Sequence, residues 1–144
     1  MNVGESCMKR PEPIDSEYTF DHTIIVSETD TKGKITYANR KLAEISGYSK
    51  KELVGNPHSL LRHPDMPKEV FKEMWTTIKA GKEWSGLVKN LRKDGKFYWV
   101  HQFIKPMFDK EGNIIGFIAA RKIPPRVDVE KAEELYKQMK EKEK

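Results

Sequence analysis

The chain has 144 residues, enough for one domain, and its 27 Lys and Arg against 22 Asp and Glu give a formal charge of +5. Hydrophobic residues make up 37% of the chain, and three Trp, five Tyr and six Phe need a core, so intrinsic disorder is not expected for its body. No apolar run reaches the roughly 18 residues of a membrane-spanning helix. Basic residues are interleaved with acidic ones along the chain, which argues against a nucleic-acid partner.

The first 18 residues are predicted to form an irregular arm, because Pro11 and Pro13 oppose regular structure and little in this stretch is apolar. No apolar segment typical of a secretory signal is present. The single cysteine, Cys7, lies in this arm and cannot form an internal disulfide. A cytoplasmic location therefore fits best, with the membrane reached only through a receptor partner and no direct insertion.

Two short β-branched runs, 23–29 and 34–38, are separated by a turn and predict a β-hairpin. A broken helical stretch follows. Asn39 can cap a first short helix that ends at Gly47. Ser49 can begin a second, because Glu52 stands three residues later as in a capping box.

A longer helix is predicted over residues 67–80, with Pro67 at its first position and Gly81 after its end. Apolar residues recur there at helical spacing: Val70, Phe71, Met74, Trp75 and Ile78. Between this helix and the shorter ones lies a loop, residues 58–67, with room for one helical turn.

The remaining pattern predicts three strands, 84–92, 97–107 and 114–122, joined by tight turns, and then a charged helix over 127–143. On the middle strand, Phe97, Trp99, His101 and Phe103 fall on one face. The predicted fold class is therefore α+β: a five-stranded antiparallel sheet with short helices inserted between strands two and three, plus a C-terminal helix. The domain limits that follow are an arm at 1–18, a central domain at 19–125 and a C-terminal helix at 126–144.

Three stretches of the chain, within residues 20–122, resemble the signatures of PAS domains. They are the run 29–39 (TDTKGKITYAN), the run 46–55 (SGYSKKELVG), and Asp94-Gly95 followed by Phe97-Tyr98-Trp99. The resemblance implies the PAS fold but says almost nothing about a ligand.

A narrower resemblance covers residues 55–67 (GNPHSLLRHPDMP), Met74-Trp75 and residues 84–90 (WSGLVKN), which are similar to the PAS domains of bacterial aerotaxis receptors. It implies non-covalent FAD and a redox signal passed to a chemotaxis receptor, or to another PAS- or HAMP-containing signalling protein. Such receptors continue into a membrane anchor and a signalling rod. Because this sequence contains no such segments, we favour similarity to the stand-alone PAS subunit of two-protein energy-taxis systems over a fragment of a receptor. A homodimer is one possible assembly.

Seven residues are candidates for holding the cofactor: Asn39, His58, Arg62, His63, Asp65, Trp75 and Asn90. The family implicates Trp75 and points to Asn39, whereas plain core packing and helix capping are the alternative roles of these two side chains. A guanidinium such as that of Arg62 suits a pyrophosphate, and the two histidines can donate hydrogen bonds. Two His and one Asp without Cys partners make a poor zinc site, so no metal is expected.

Several other chemistries are judged from the same residues. Light-sensing PAS domains form a cysteinyl–flavin adduct, but here the corresponding position holds His58 and the only cysteine is Cys7, so that adduct is excluded. Non-covalent haem stays open, with His58 or His63 as an axial ligand. No catalytic constellation is recognisable, so an enzyme is not expected. The alternatives to a flavin sensor are a cofactor-free PAS module that dimerises and a flavin or haem enzyme fragment.

Overall fold

The computed structural model describes residues 10–144, so Cys7 and the start of the arm lie outside the described residues. The elements in chain order are β1 (Ile25–Thr29), β2 (Ile35–Ala38), α1 (Arg40–Ser46), α2 (Lys50–Leu53), a 3-10 turn (His58–Leu61), α3 (Lys68–Lys79), β3 (Trp84–Leu91), β4 (Phe97–Phe108), β5 (Ile114–Lys122) and α4 (Arg126–Lys142).

The five strands form one antiparallel sheet in the order β2-β1-β5-β4-β3. This confirms the predicted α+β class, with the helices α1–α3 inserted between β2 and β3. The last strand, β5, lies in the middle of the sheet, where it pairs with β1 on one side and with β4 on the other. Its central position makes β5 the strand from which a buried side chain reaches most of the sheet.

The helix ends follow the local signals in the sequence. Asn39 caps α1, its side chain accepting a hydrogen bond from the Leu42 N–H, and Gly47 ends that helix with a left-handed φ of 82°. Ser49 and Glu52 form the expected capping box at α2. These separate caps keep α1 and α2 as two short helices, and each buries apolar side chains in the core.

Several predicted element ends are wrong by one or two residues, and two of these differences have a clear physical cause. Pro67 precedes α3 rather than opening it, since its ψ of 141° is extended; proline fixes φ alone, and that φ suits the position before a helix as well as the first turn. The first strand begins at Ile25, two residues later than predicted, because its pairing with β5 starts there, at Ile25 and Arg121.

The described part of the arm, residues 10–18, has no helix or strand but lies along the start of β4. The Ile14 and Tyr18 N–H groups donate to the Gly95 and Phe97 carbonyls, and the Phe97 N–H donates to the Ser16 carbonyl. Pairing between β4 and β5 extends only to His101, so the arm covers a stretch of β4 that would otherwise be an open edge.

The two faces of the sheet carry separate clusters of buried side chains. On one, α1–α3 pack against the inward residues of β4, among them Tyr98, Val100 and Ile104. On the other, α4 packs through Val129 and Ala132 against Trp99. The alternation predicted for β4 is confirmed, because Trp99 stands on the opposite face from Tyr98 and Val100.

Candidate functional site

A cavity of about 410 Å³ lies between the inner face of the sheet and the helical layer, a volume typical of small-molecule sites. Strands β1, β3, β4 and β5 supply its floor, while the 3-10 turn and α3 supply its opposite wall. The residues that line it are Ser27, Thr29, Thr31, Lys32, Gly33, Pro57, His58, Ser59, Arg62, Phe71, Met74, Trp75, Lys79, Val88, Asn90, Gln102, Ile104, Phe117, Ala119 and Arg121.

Arg121, on the central strand β5, is the polar centre of this cavity and is only 2% exposed. Its Nε donates to the Gln102 Oε1 at 2.9 Å, and its Nη2 donates to the Ser27 Oγ at 3.0 Å. The same Nη2 lies 2.7 Å from the His58 Nε2. Its Nη1 is buried and has no partner in the described structure. One guanidinium thus joins β1, β4 and the 3-10 turn and keeps one donor nitrogen unused.

The charge lining the cavity is all of one sign. Four cationic side chains, Lys32, Arg62, Lys79 and Arg121, contribute to the wall, and none of the lining residues is Asp or Glu. Burial lowers the pKa of Arg121 to about 10, since burial penalises the charged form. A buried cation without a carboxylate is costly, so the cavity is suited to a ligand rich in oxygen acceptors or negative charge.

His58 is neutral in this setting. Burial, and secondly the adjacent Arg121 guanidinium, lower its pKa to about 3. Because the imidazole is uncharged, its Nε2 can accept a hydrogen bond from the Arg121 Nη2. The Ser27 hydroxyl lies 3.2 Å from the same nitrogen.

Aromatic side chains form the apolar part of the wall. Trp75 on α3 meets Phe117 on β5 edge to face, with ring centroids 5.6 Å apart. Gly33, in the β1–β2 turn, has a φ of 89°, and a Cβ there would lie 3.2 Å from the Trp75 ring. The absence of a side chain at Gly33 therefore lets the indole pack against the turn, and Trp75 forms part of the cavity wall between α3 and the sheet.

Four of the seven predicted site residues line this cavity: His58, Arg62, Trp75 and Asn90. Arg62 also lies over the Phe71 ring, 3.7 Å from its centroid, and its buried Nε has no partner in the described structure. Burial lowers its pKa, and the nearby Arg10 adds to that effect. Asn90 is 4% exposed and faces inward from β3.

The other three predicted residues, Asn39, His63 and Asp65, lie outside the cavity. Asn39 caps α1, and its amide nitrogen donates to the Ile24 carbonyl at 3.1 Å. Residues 62 and 63 run alongside β3. The backbone of Arg62 forms an isolated antiparallel β-bridge with Asn90, and the His63 N–H donates to the Lys89 carbonyl.

Neighbouring side chains on an extended segment point to opposite faces, so His63 turns away from Arg62 and meets the Phe97 ring. Asp65 pairs with Lys89, its Oδ2 lying 2.9 Å from the Nζ. The side chains of His63 and Asp65 therefore lie away from the cavity that His58 and Arg62 line, although all four residues fall within positions 58–65.

The lining residues that the sequence interpretation missed include the polar cluster of Ser27, Gln102 and Arg121. A signal for Arg121 was present, because Phe117, Ala119 and Arg121 alternate along β5 and the first two are apolar. Such alternation places the arginine on the inward face. That the Arg121 Nη1 has no partner in the described structure could not be predicted from the sequence, since its neighbours depend on which strands lie beside β5.

Two features are absent from the part of the chain that the structure describes. Residues 10–144 hold no group of three or more His, Cys, Asp or Glu side chains arranged to bind a metal ion. The helices of the same residues include none that is both long and apolar enough to cross a membrane.

Comparison with known proteins gives consistent matches. The chain is 45% identical over 117 residues to the aerotaxis receptor of Escherichia coli K12, covering 81% of this chain and 23% of the receptor. It is 31% identical to the nitrogen fixation regulatory protein of Klebsiella pneumoniae, covering 69% of this chain and 20% of that protein. The chain thus spans about a quarter or less of the length of these relatives.

Solved structures share the fold. The light-state structure of the blue-light photoreceptor Aureochrome1 LOV superposes with a TM-score of 0.67 at 23% identity, covering 75% of this chain and 90% of that one. A PAS domain from Colwellia psychrerythraea gives 0.66 at 22% identity, covering 72% and 87%. The family model described as PAS fold matches residues 35–121. The chain therefore belongs to the PAS family, as its sequence signatures predicted.

Proposed function

We propose that the cavity binds FAD non-covalently and that the domain is a redox sensor, not an enzyme, which signals to a chemotaxis receptor or a similar partner. The observation that carries this proposal is Arg121: a buried guanidinium with an unused Nη1, in a cavity lined by four cations and no carboxylate. The likeness to the Escherichia coli aerotaxis receptor supports a signalling role.

The residues present fit a flavin. An aromatic ring system needs apolar walls, which Phe71, Met74, Trp75 and Phe117 supply. The ring carbonyls need donors, and Arg121 offers one. When bound, the flavin would supply reversible gain of electrons, with the accompanying change of charge.

Three cations favour a dinucleotide over a mononucleotide. Lys32, Arg62 and Lys79 line the cavity in addition to Arg121, and the Lys79 Nζ lies 5.4 Å from the Trp75 ring centroid. The diphosphate of FAD spreads its negative charge over more oxygens and a longer group than the single phosphate ester of FMN does, so it can contact more cationic side chains. We therefore expect these side chains to hold the diphosphate of FAD.

The hydrogen bonds of Arg121 supply a route for the signal. Added negative charge beside Arg121 would strengthen its attraction to the ligand relative to Ser27, Gln102 and His58. Those partners belong to β1, β4 and the 3-10 turn, so a small movement of one guanidinium alters three elements together. The ligand then biases two arrangements of the domain, as a switch requires.

The test is to express the protein, separate it from free nucleotides, denature it and identify any flavin released by chromatography. We expect FAD, with FMN and riboflavin at trace level. Trp75→Ala should lower flavin affinity about tenfold, because it removes a large aromatic wall. Trp99→Phe, on the other sheet face, is the matched control. Equal FAD occupancy in Trp75→Ala and the parent would remove Trp75 from the site.

One observation favours a cofactor-free interaction module as a second candidate function. The outer face of the sheet beyond α4 leaves apolar side chains partly exposed, with Tyr37 at 46% and Phe103 at 41%. A protein that takes up no flavin, even when FAD is added, and that self-associates through this face would support the module over the sensor.

A further inference from the structure

A second cavity lies between α4 and the outer face of the sheet. Its volume is about 500 Å³, and it shares no lining residue with the cavity around Arg121. One side is formed by Lys89 on β3, Trp99 on β4, and Asp65 and Met66 in the loop before α3. The α4 side is formed by Glu133, Tyr136, Lys137, Lys140, Glu141 and Lys144.

Aromatic rings form the apolar part of this second cavity. Trp99 and Tyr136 stack with their ring planes 23° apart and their centroids separated by 6.2 Å. Met66 adds a thioether, whose sulfur already accepts the Lys89 N–H at 3.3 Å. Such a surface favours a flat, apolar group over a strongly hydrated one.

The Trp99 indole carries the second, independent observation. Trp99 is only 4% exposed, yet its Nε1 has no hydrogen-bond partner in the described structure. The Tyr136 hydroxyl, by contrast, is already used, since it donates to the Leu87 carbonyl at 2.7 Å. An unpaired buried donor is unfavourable, so a ligand oxygen that accepts from Trp99 would be stabilised.

The charges around the second cavity favour an anion. Asp65 and Lys89 pair with each other at 2.9 Å. Of the other charged groups in the wall, three are lysines (137, 140 and 144) and two are glutamates (133 and 141), so amines outnumber carboxylates. None of the three lysines forms a salt bridge within residues 10–144.

We propose that this second cavity binds a small aromatic carboxylate, with its ring against the Trp99–Tyr136 stack and its carboxylate between the Trp99 N–H and the α4 lysines. A ligand held this way contacts both the sheet and α4, and so would fix the position of the C-terminal helix. The proposal does not depend on flavin binding, because the two cavities share no lining residue.

The test uses the full chain and benzoate as the probe. The three tryptophans give three indole N–H signals in a nitrogen–proton correlation spectrum, and Trp99→Phe assigns the one from Trp99. We expect benzoate to shift the Trp99 signal in a saturable way. Lys140→Gln removes one amine, and Trp99→Phe keeps the aromatic surface but loses the donor. Each should weaken binding about fivefold, measured from the Trp99 signal in the first variant and from the Tyr136 backbone amide signal in the second.

Lys131→Gln is the matched control, since Lys131 is exposed on α4 but does not line the cavity, and it should leave affinity unchanged. The proposal is overturned if benzoate moves only the Trp75 signal or none, if Lys131→Gln weakens binding as much as Lys140→Gln, or if inorganic phosphate shifts the Trp99 signal equally. Should Trp99→Phe fail to fold, Trp75→Phe and Trp84→Phe assign the other two indole signals and leave the third to Trp99, so the parent spectrum and the two lysine variants still decide the matter.

Discussion

Arg121 is the residue on which the flavin site depends, and its surroundings make an unusual prediction. A buried cation without a carboxylate destabilises the empty protein, so Arg121→Gln should leave the free energy of unfolding of the flavin-free protein unchanged or raise it by about 1 kcal/mol. The same change should weaken flavin binding about tenfold, because it removes the charged donor. Chemical denaturation and flavin titration measure the two quantities.

Arg121→Lys is the control that retains the charge, and it should keep more of the affinity than the glutamine variant. A variant in which stability falls while flavin affinity stays at the parent value would show that Arg121 only holds β1, β4 and the 3-10 turn together.

His58 predicts how stability responds to acid. Its pKa is about 3 in the folded protein, because of burial and then Arg121, against about 6.5 in the unfolded chain. Between those values the unfolded state binds the extra proton, so stability falls as the pH drops, by about 1.4 kcal/mol per pH unit for this group. His58→Gln should flatten this decline in denaturation curves recorded from pH 6 to pH 4. An unchanged slope would mean that His58 is charged or exposed in the folded protein.

Some site residues could be predicted from the sequence, and the reason others could not is geometric. The four candidates His58, Arg62, Trp75 and Asn90 line one cavity because each faces the inner layer, and their role in holding a cofactor stays a prediction. His63 was grouped with Arg62 by proximity, but adjacent residues on an extended segment diverge. Arg121 was missed because it is far along the chain and becomes part of the site only through the position of β5.

Secondary structure elements were more predictable than the site, because capping and alternation are local. Ser49 with Glu52 specifies where α2 begins, and the alternation along β4 specifies its two faces, without reference to distant residues. The order of strands is not local. It depends on β5 entering between β1 and β4, which the hairpin turns alone do not determine.

Helix α4 is tied to α3 by a contact that gives a prediction of its own. The N-terminus of α3 has no side-chain cap from its own segment, and the Glu143 Oε2 accepts the Glu69 N–H at 3.1 Å. This hydrogen bond lowers the pKa of Glu143. Glu143→Gln should therefore speed amide exchange at the start of α3 and the end of α4 about two- to fivefold.

Glu141→Gln, in the same turn of α4, is the matched control and should leave exchange at the start of α3 unchanged. Equal rates in Glu143→Gln and the parent would show that the contact does not hold the two helices together. Since α3 carries Trp75, this contact is a physical link between the cavity and the C-terminal helix.

At the scale of the molecule, the two faces of the sheet divide the work. Helix α4 contributes no residue to the cavity around Arg121, so removing residues 126–144 should leave flavin binding within about twofold of the parent. The same truncation exposes the buried Trp99 and Leu87 surface, which should weaken association with a partner or promote non-specific aggregation. Flavin titration and light scattering measure these effects. If the truncated protein loses its flavin, α4 supports the inner cavity after all.

The absorption spectrum of the purified full-length chain tests the central claim most directly. We expect the blue-region band of an oxidised flavin, which bleaches on chemical reduction and returns with air. On denaturation the flavin that gives this band should be released from the protein. A colourless protein that gains no such band after incubation with FAD would contradict it, because the cation-lined space beside Arg121 would then hold no flavin.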